Sequence, residues 1–115
     1  MSRITVDELR RLMHEGTDIL ILDVRPPDVR ATEGIIPGAV AAHPAEIQAV
    51  KDIYSRERET IVYCACPNEA SAATAAKHLR RAGFKRIRPL LGGIDAWVEA
   101  GHPLERRELH VFQQV

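Results

Sequence analysis

The chain is 115 residues long, the length of one domain, and its sixteen Lys and Arg balance sixteen Asp and Glu. That neutrality leaves no net field to gather a nucleic-acid backbone or an anionic membrane surface, so neither is expected as a partner of this chain. Leu, Ile, Val and Phe supply about a quarter of the residues, enough for a core, and no apolar run approaches the ~18 residues of a membrane span.

Thr5-Val6-Asp7-Glu8 has the form of a capping box, and Val6, Leu9, Leu12 and Met13 recur at helical spacing. A first helix is predicted over Asp7 to Glu15. The charged opening from Met1 to Arg11 lacks the apolar segment and small-residue cleavage site of a secretory signal, so a cytoplasmic location is expected. Asp18 to Val24 is a continuous β-rich apolar run of the kind buried on both faces of a parallel sheet, and Pro26-Pro27 ends it. No period holds from Arg25 to Gly38, which predicts a structured loop leading through Ile36-Pro37-Gly38 to a short strand over Ala39 to Ala42.

Pro44 suits the first turn of a second helix running to about Tyr54, with Ile47, Val50 and Ile53 or Tyr54 as its buried stripe. Arg56 to Glu59 reads as a solvated connection. Thr60 to Cys64 is a further buried strand, and Ser71 to Ala82 a helix whose Ala72, Ala75, Ala76 and Leu79 form one flat face, stopped by Gly83. Arg86 to Leu90 is a last short strand, Gly92-Gly93 a turn, and Ile94 to Ala100 a final helix placing Trp97 in the core. Strands alternating with helices imply a parallel α/β sheet covered on both faces. The expected organisation is a single domain over 1–115, with its core over about 3–101 and a loosely packed tail over 102–115.

In such a sheet, ligands bind where strands end and helices begin, which singles out Cys64 to Ser71. Between strand and helix, Cys66-Pro67-Asn68-Glu69-Ala70-Ser71 reads as a tight loop whose N–H groups converge, with a helix N-terminus adding partial positive charge. Both features lower the pKa of a thiol, so Cys66 is the candidate nucleophile. Pro67 removes one donor and stiffens the loop, leaving Asn68, Glu69, Ala70 and Ser71 to supply N–H groups. Ser71 fits equally well as a helix cap or as a hydrogen-bond partner of the sulfur.

Cys64 belongs to the strand and reads as core. In an extended segment its Cβ lies roughly 7 Å from that of Cys66, against the roughly 4 Å of a disulfide, so two free thiols in a reducing compartment are expected. Cys64 and Cys66 have no second Cys pair or closely spaced His pair beside them, so no metal site is expected. Of the five histidines only His43 follows a strand on the same edge as the loop. Asp23 and Arg25 end their strand as a charged pair, fitted to a structural ion pair as well as to bracing the loop or touching a substrate.

Four segments, in this order and at this spacing, resemble the single-domain rhodaneses of the thiosulfate sulfurtransferase family. They are Leu22-Asp23-Val24-Arg25, Gly34-Ile35-Ile36-Pro37-Gly38-Ala39, the stretch from Tyr63 to Ser71, and Leu91-Gly92-Gly93-Ile94-Asp95-Ala96-Trp97. The resemblance implies a rhodanese-like α/β fold with a central, mostly parallel five-stranded sheet and helices on both faces. It implies an enzyme that moves a sulfane sulfur from a small-molecule donor such as thiosulfate to a thiol or cyanide acceptor through a cysteine persulfide, without a cofactor. Family loops run from the catalytic cysteine to a residue five positions later, and counting back from Ser71 gives Cys66.

A loop begun at Cys64 would resemble the longer one of the related cell-cycle phosphatases and arsenate reductases. Its end would be Ala70, and no arginine stands between Cys64 and His78, so the bidentate donor of an oxyanion is missing. By the resemblance, then, Cys66 is catalytic, Pro67, Asn68, Glu69, Ala70, Ser71 and Arg25 contact substrate, and Asp23 supports them. Two positions depart from the family, Glu69 where many members have glycine and Ile35 where many have histidine. Glu69 is expected to oppose dianionic thiosulfate unless it points outward or pairs with a cation such as Arg25. The alternative reading is a binding or sulfide-sensing module with weak turnover, part of a longer, membrane-associated protein.

Overall fold

The protein is described by a computed structural model over residues 2–106. Four strands, β1 (Ile19–Asp23), β2 (Val40–Ala41), β3 (Glu59–Tyr63) and β4 (Ile87–Pro89), form one parallel sheet in the order β2-β1-β3-β4. Five helices surround it: α1 (Val6–His14), α2 (Pro27–Glu33), α3 (Ile47–Ile53), α4 (Ala70–Arg81) and α5 (Gly93–Glu99). From the central pair, β1 leads outward to β2 and β3 outward to β4, so the order reverses between β1 and β3, where doubly wound sheets open a crevice at their carboxyl ends.

The expected fifth strand is reduced to one residue. Ile4 makes a single parallel bridge with Leu90, donating to the Pro89 carbonyl at 2.9 Å and accepting from Leu91 N–H at 2.8 Å. It goes no further because Thr5 already caps α1, its hydroxyl accepting from Glu8 N–H at 3.1 Å. The carboxylate of Glu8 turns away from the cap and accepts from Arg88 at 3.2 Å.

Alternating strand residues feed two cores. Leu20, Leu22, Val62 and Cys64 pack with Ile47, Val50, Ala72, Ala76 and Leu79 beneath α3 and α4. Ile21, Ile61 and Tyr63 pack with Leu9, Leu90, Ile94 and Trp97 beneath α1 and α5. Burial on both faces is why these strands read as unbroken apolar runs.

Three expectations are corrected. The stretch taken as an irregular loop after Arg25 contains α2, which begins with Pro27 in its first turn and buries none of its side chains, so it leaves no apolar period to read. The second helix is divided into a 3-10 turn (Pro44–Glu46) and α3; Ile53 is 70% exposed, and Tyr54 packs against the core in its place. The start of the expected tail is packed: Trp97 Nε1 donates to the Pro103 carbonyl at 2.8 Å, His102 tilts against the Trp97 ring, and Glu105 exchanges two backbone bonds with Ile35. The remainder of that tail, 107–115, lies outside the described residues. Among the described residues, no helix is long and apolar enough to cross a membrane.

Candidate active site

After β3 the chain reaches Cys66 in an extended conformation and enters a 3-10 turn (Pro67–Glu69) that runs into α4. Within the turn both Asn68 (φ 56°) and Glu69 (φ 55°) are left-handed. Asn adopts this region readily; a residue such as Glu there costs on the order of 1–3 kcal/mol, so surrounding contacts must hold it. The double left-handed turn brings Ser71, in the first turn of α4, under the thiol: Cys66 Sγ lies 3.0 Å from Ser71 Oγ.

The two cysteines are free and chemically distinct. Hydrogen bonds from the Ser71 hydroxyl, and then from Ser71 backbone, hold the exposed Cys66 thiol below its ordinary pKa. Burial pushes Cys64 up, against the opposing pull of the Cys66 and Ala72 backbone N–H groups. The reactive anion therefore forms on Cys66 first.

Glu69 does not stand at the rim as a bare charge. Its side chain is turned inward and the residue is 6% exposed. Oε2 accepts from Gly92 N–H at 3.2 Å, and Oε1 lies 2.8 Å from Arg3 Nε. The Arg3 contact is a charge contact set off the N–H direction, since Oε1 receives no aligned hydrogen bond. The cation beside Glu69 is thus Arg3, and not Arg25.

Arg25 is committed elsewhere. The residue is 3% exposed; its Nε and one terminal nitrogen grip Asp23, the same nitrogen donates to the Gly34 carbonyl at 2.6 Å, and the other meets Glu33. Burial opposes its charge, but the hydrogen bond and charge contact with Asp23 hold its pKa above the ordinary value. Asp23, fully buried, also accepts from Tyr63 Oη at 2.6 Å, and that phenol in turn accepts from Ile36 N–H at 3.0 Å. Asp23 and Tyr63 can meet because they are register partners on β1 and β3. Asp23 and Arg25 are therefore a buried brace of the β1 end, with Nε and one terminal nitrogen of the guanidinium held by Asp23 and the Gly34 carbonyl.

Beside Ser71 opens a cavity of about 540 Å³. Its walls come from the chain just beyond β1 (Val24, Pro26), beyond β2 (Ala42, His43, Pro44) and from α4 (Ala70, Ser71), so it lies at the carboxyl ends of β1 and β2 against α4, and Cys66 borders it only through Ser71. His43 reaches it as expected from its position after a strand, although its Nδ1 is engaged by Ala45 N–H at 3.4 Å. Among the described residues, no Lys or Arg lines it. Sequence reasoning placed Tyr63 in a strand and Gly92 in a turn but gave neither of them, nor Arg3, a part in the site. Tyr63 had a signal, standing beside the cysteine segment in a buried run; the pairing of Arg3 and Gly92 with Glu69 had none.

Comparisons with known proteins bear on the family and the fold. The sequence profile of the rhodanese-like domain matches residues 5–100. A protein named sulfurtransferase from Allochromatium vinosum is 27% identical over 104 residues, spanning 90% of this chain and 94% of that protein. The crystal structure of the Alr3790 protein from Anabaena sp. has a TM-score of 0.84 at 27% identity, covering 96% of this chain and 86% of the other. Thiosulfate sulfurtransferase from Pseudomonas aeruginosa gives 0.80 at 24% identity over 92% of this chain and 20% of its own, a likeness of fold alone.

Proposed function

This chain belongs to the rhodanese-like domain family, and on that footing we propose that it is a sulfurtransferase working through a persulfide on Cys66. The observation that carries the reading is the exposed, acidified Cys66 thiol 3.0 Å from the Ser71 hydroxyl at the head of α4. The Cys66 thiolate attacks the sulfane sulfur of a donor; the donor's sulfur–sulfur bond breaks and its electron pair leaves with sulfite, if the donor is thiosulfate, or with a thiolate. An acceptor thiolate or cyanide then attacks the outer sulfur, and Cys66 departs as thiolate. The loop N–H groups and the α4 N-terminus favour the anion in both steps.

A cavity without Lys or Arg suits a weakly charged organic sulfur carrier better than a dianion such as thiosulfate. Two free thiols, one of them reactive, suit a reducing compartment such as the cytoplasm. The test is intact mass after exposure to thiosulfate and, separately, to a 2-keto-3-mercapto acid, from which Cys66 takes sulfur by breaking the carbon–sulfur bond, the electron pair leaving with the keto acid's enolate. The expected result is a gain of one sulfur that cyanide removes. If neither donor adds sulfur to protein whose Cys66 still alkylates, the second reading, a binding or sensing module, takes precedence; the missing cations at the cavity are what favour it.

A further inference from the structure

We propose that Arg3 and Glu69 form a latch that positions the Cys66 loop, which makes the segment ahead of α1 part of the sulfur-transfer site; this rests on Cys66 as the sulfur carrier. The loop needs such a restraint because two successive residues, Asn68 and Glu69, hold left-handed backbone. Within the loop, Glu69 N–H donates to the Cys66 carbonyl at 3.2 Å, Ala70 N–H donates to the Pro67 carbonyl, and the Ser71 hydroxyl meets Cys66 Sγ, but none of these bonds holds the Glu69 side chain. The rest comes from the turn that starts α5. There Ile94 N–H donates to the Cys64 carbonyl at 3.1 Å and Gly92 N–H to the Glu69 carboxylate at 3.2 Å, so one turn grips the chain on both sides of Cys66.

The second half of the latch is Arg3. Its place is set by backbone, because neighbouring Ile4 is pinned between Pro89 and Leu91. Its guanidinium is half exposed, while the carboxylate it meets is buried and its Oε1 has no hydrogen bond. Arg3 is the one cation recorded against Glu69 among the described residues. Without it a buried carboxylate is left uncompensated in the wall of the loop, and the cheapest relief is to swing Glu69 out toward water. That motion unwinds the left-handed turn and takes Ser71 away from Cys66. Arg3 and Glu69 are thus positioning residues and touch no reacting atom.

The test compares Arg3→Ala, Arg3→Lys, Glu69→Gln and Glu69→Gly by the pH profile of Cys66 alkylation with iodoacetamide, alongside sulfur-transfer rates and melting temperature. Arg3→Ala should slow alkylation at neutral pH about three- to tenfold and move the profile's midpoint upward, with only a modest fall in melting temperature, since the freed Glu69 carboxylate can turn out to water. Arg3→Lys should recover most of the rate. Glu69→Gln should slow the reaction in the same direction, although it removes a negative charge from the thiolate's neighbourhood. Glu69→Gly relieves the backbone strain but removes the latch, and should be slow as well. A faster reaction or a lowered midpoint in Glu69→Gln would show that the carboxylate acts by repelling the anion, and would overturn the latch. So would wild-type rates in Arg3→Ala or Glu69→Gly. Alkylation needs no sulfur donor, so the latch is read even where no persulfide forms and the transfer reading itself fails.

Discussion

Cys64 and Cys66 stand two positions apart, and what separates them is environment: one lies in the core with burial raising its pKa, the other is exposed with Ser71 lowering it. Cys66→Ser is therefore expected to abolish persulfide formation and Cys64→Ser to leave it largely intact, with Cys66 alkylating far faster than Cys64 near neutral pH. Mass spectrometry of the labelled peptides checks both; a dead but folded Cys64 variant would move the reactive centre. Ser71→Ala should shift the midpoint of the Cys66 profile up toward the ordinary thiol value of roughly 8.5. The thiolate is the reactive form and its pKa is lowered in the folded protein, so the variant loses rate most at neutral pH and regains it at alkaline pH; a parallel loss at all pH values would assign Ser71 a purely structural part. This residue pair was legible in the sequence because both members belong to one strand–loop–helix passage. The direction of Glu69 was not, since it depends on a left-handed backbone and on Arg3, 66 positions earlier in the chain. For Arg25 the sequence left an ion pair with Asp23 and contact with substrate side by side, and the structure shows the ion pair, closed further by the Gly34 carbonyl.

Among the elements, the turn before α5 contributes most to the site. A Cβ on Gly93 would sit 2.3 Å from the Cys64 carbonyl oxygen, a backbone atom with no room to retreat. Gly93→Ala should cost more than about 1 kcal/mol in stability and slow Cys66 alkylation as well, because the strand end and the loop move together. Gly101→Ala is the control: its φ is also positive, but nothing lies within 4 Å, so it should lose stability and keep its thiol reactivity. Chemical denaturation and the alkylation rate separate the two variants. Elements with one buried stripe, α1 and α4, were readable to within a residue or so of their ends, whereas α2 buries nothing and carried no pattern. The fifth strand came from family likeness; here a cap at Thr5 cuts it to a single bridge.

At the scale of the whole molecule, the buried polar group of Asp23, Arg25 and Tyr63 ties the β1 end to Gly34 and Ile36. Tyr63→Phe leaves the Ile36 N–H without its partner and should cost about 1–3 kcal/mol. Asp23→Ala strands a buried guanidinium and should cost about 3–5 kcal/mol, and denaturant midpoints in that order check the ranking. Burial holds the Tyr63 phenol well above its usual range, so it stays neutral and remains the donor to Asp23 at any workable pH. The crevice between the strand ends has a practical consequence as well. An acidified sulfur one side chain away, across Ser71, from a mostly apolar hollow of about 540 Å³ is a favourable target for covalent chemical probes: a mild electrophile carrying a greasy arm that seats in the hollow should label Cys66 faster than a charged reagent of equal reactivity.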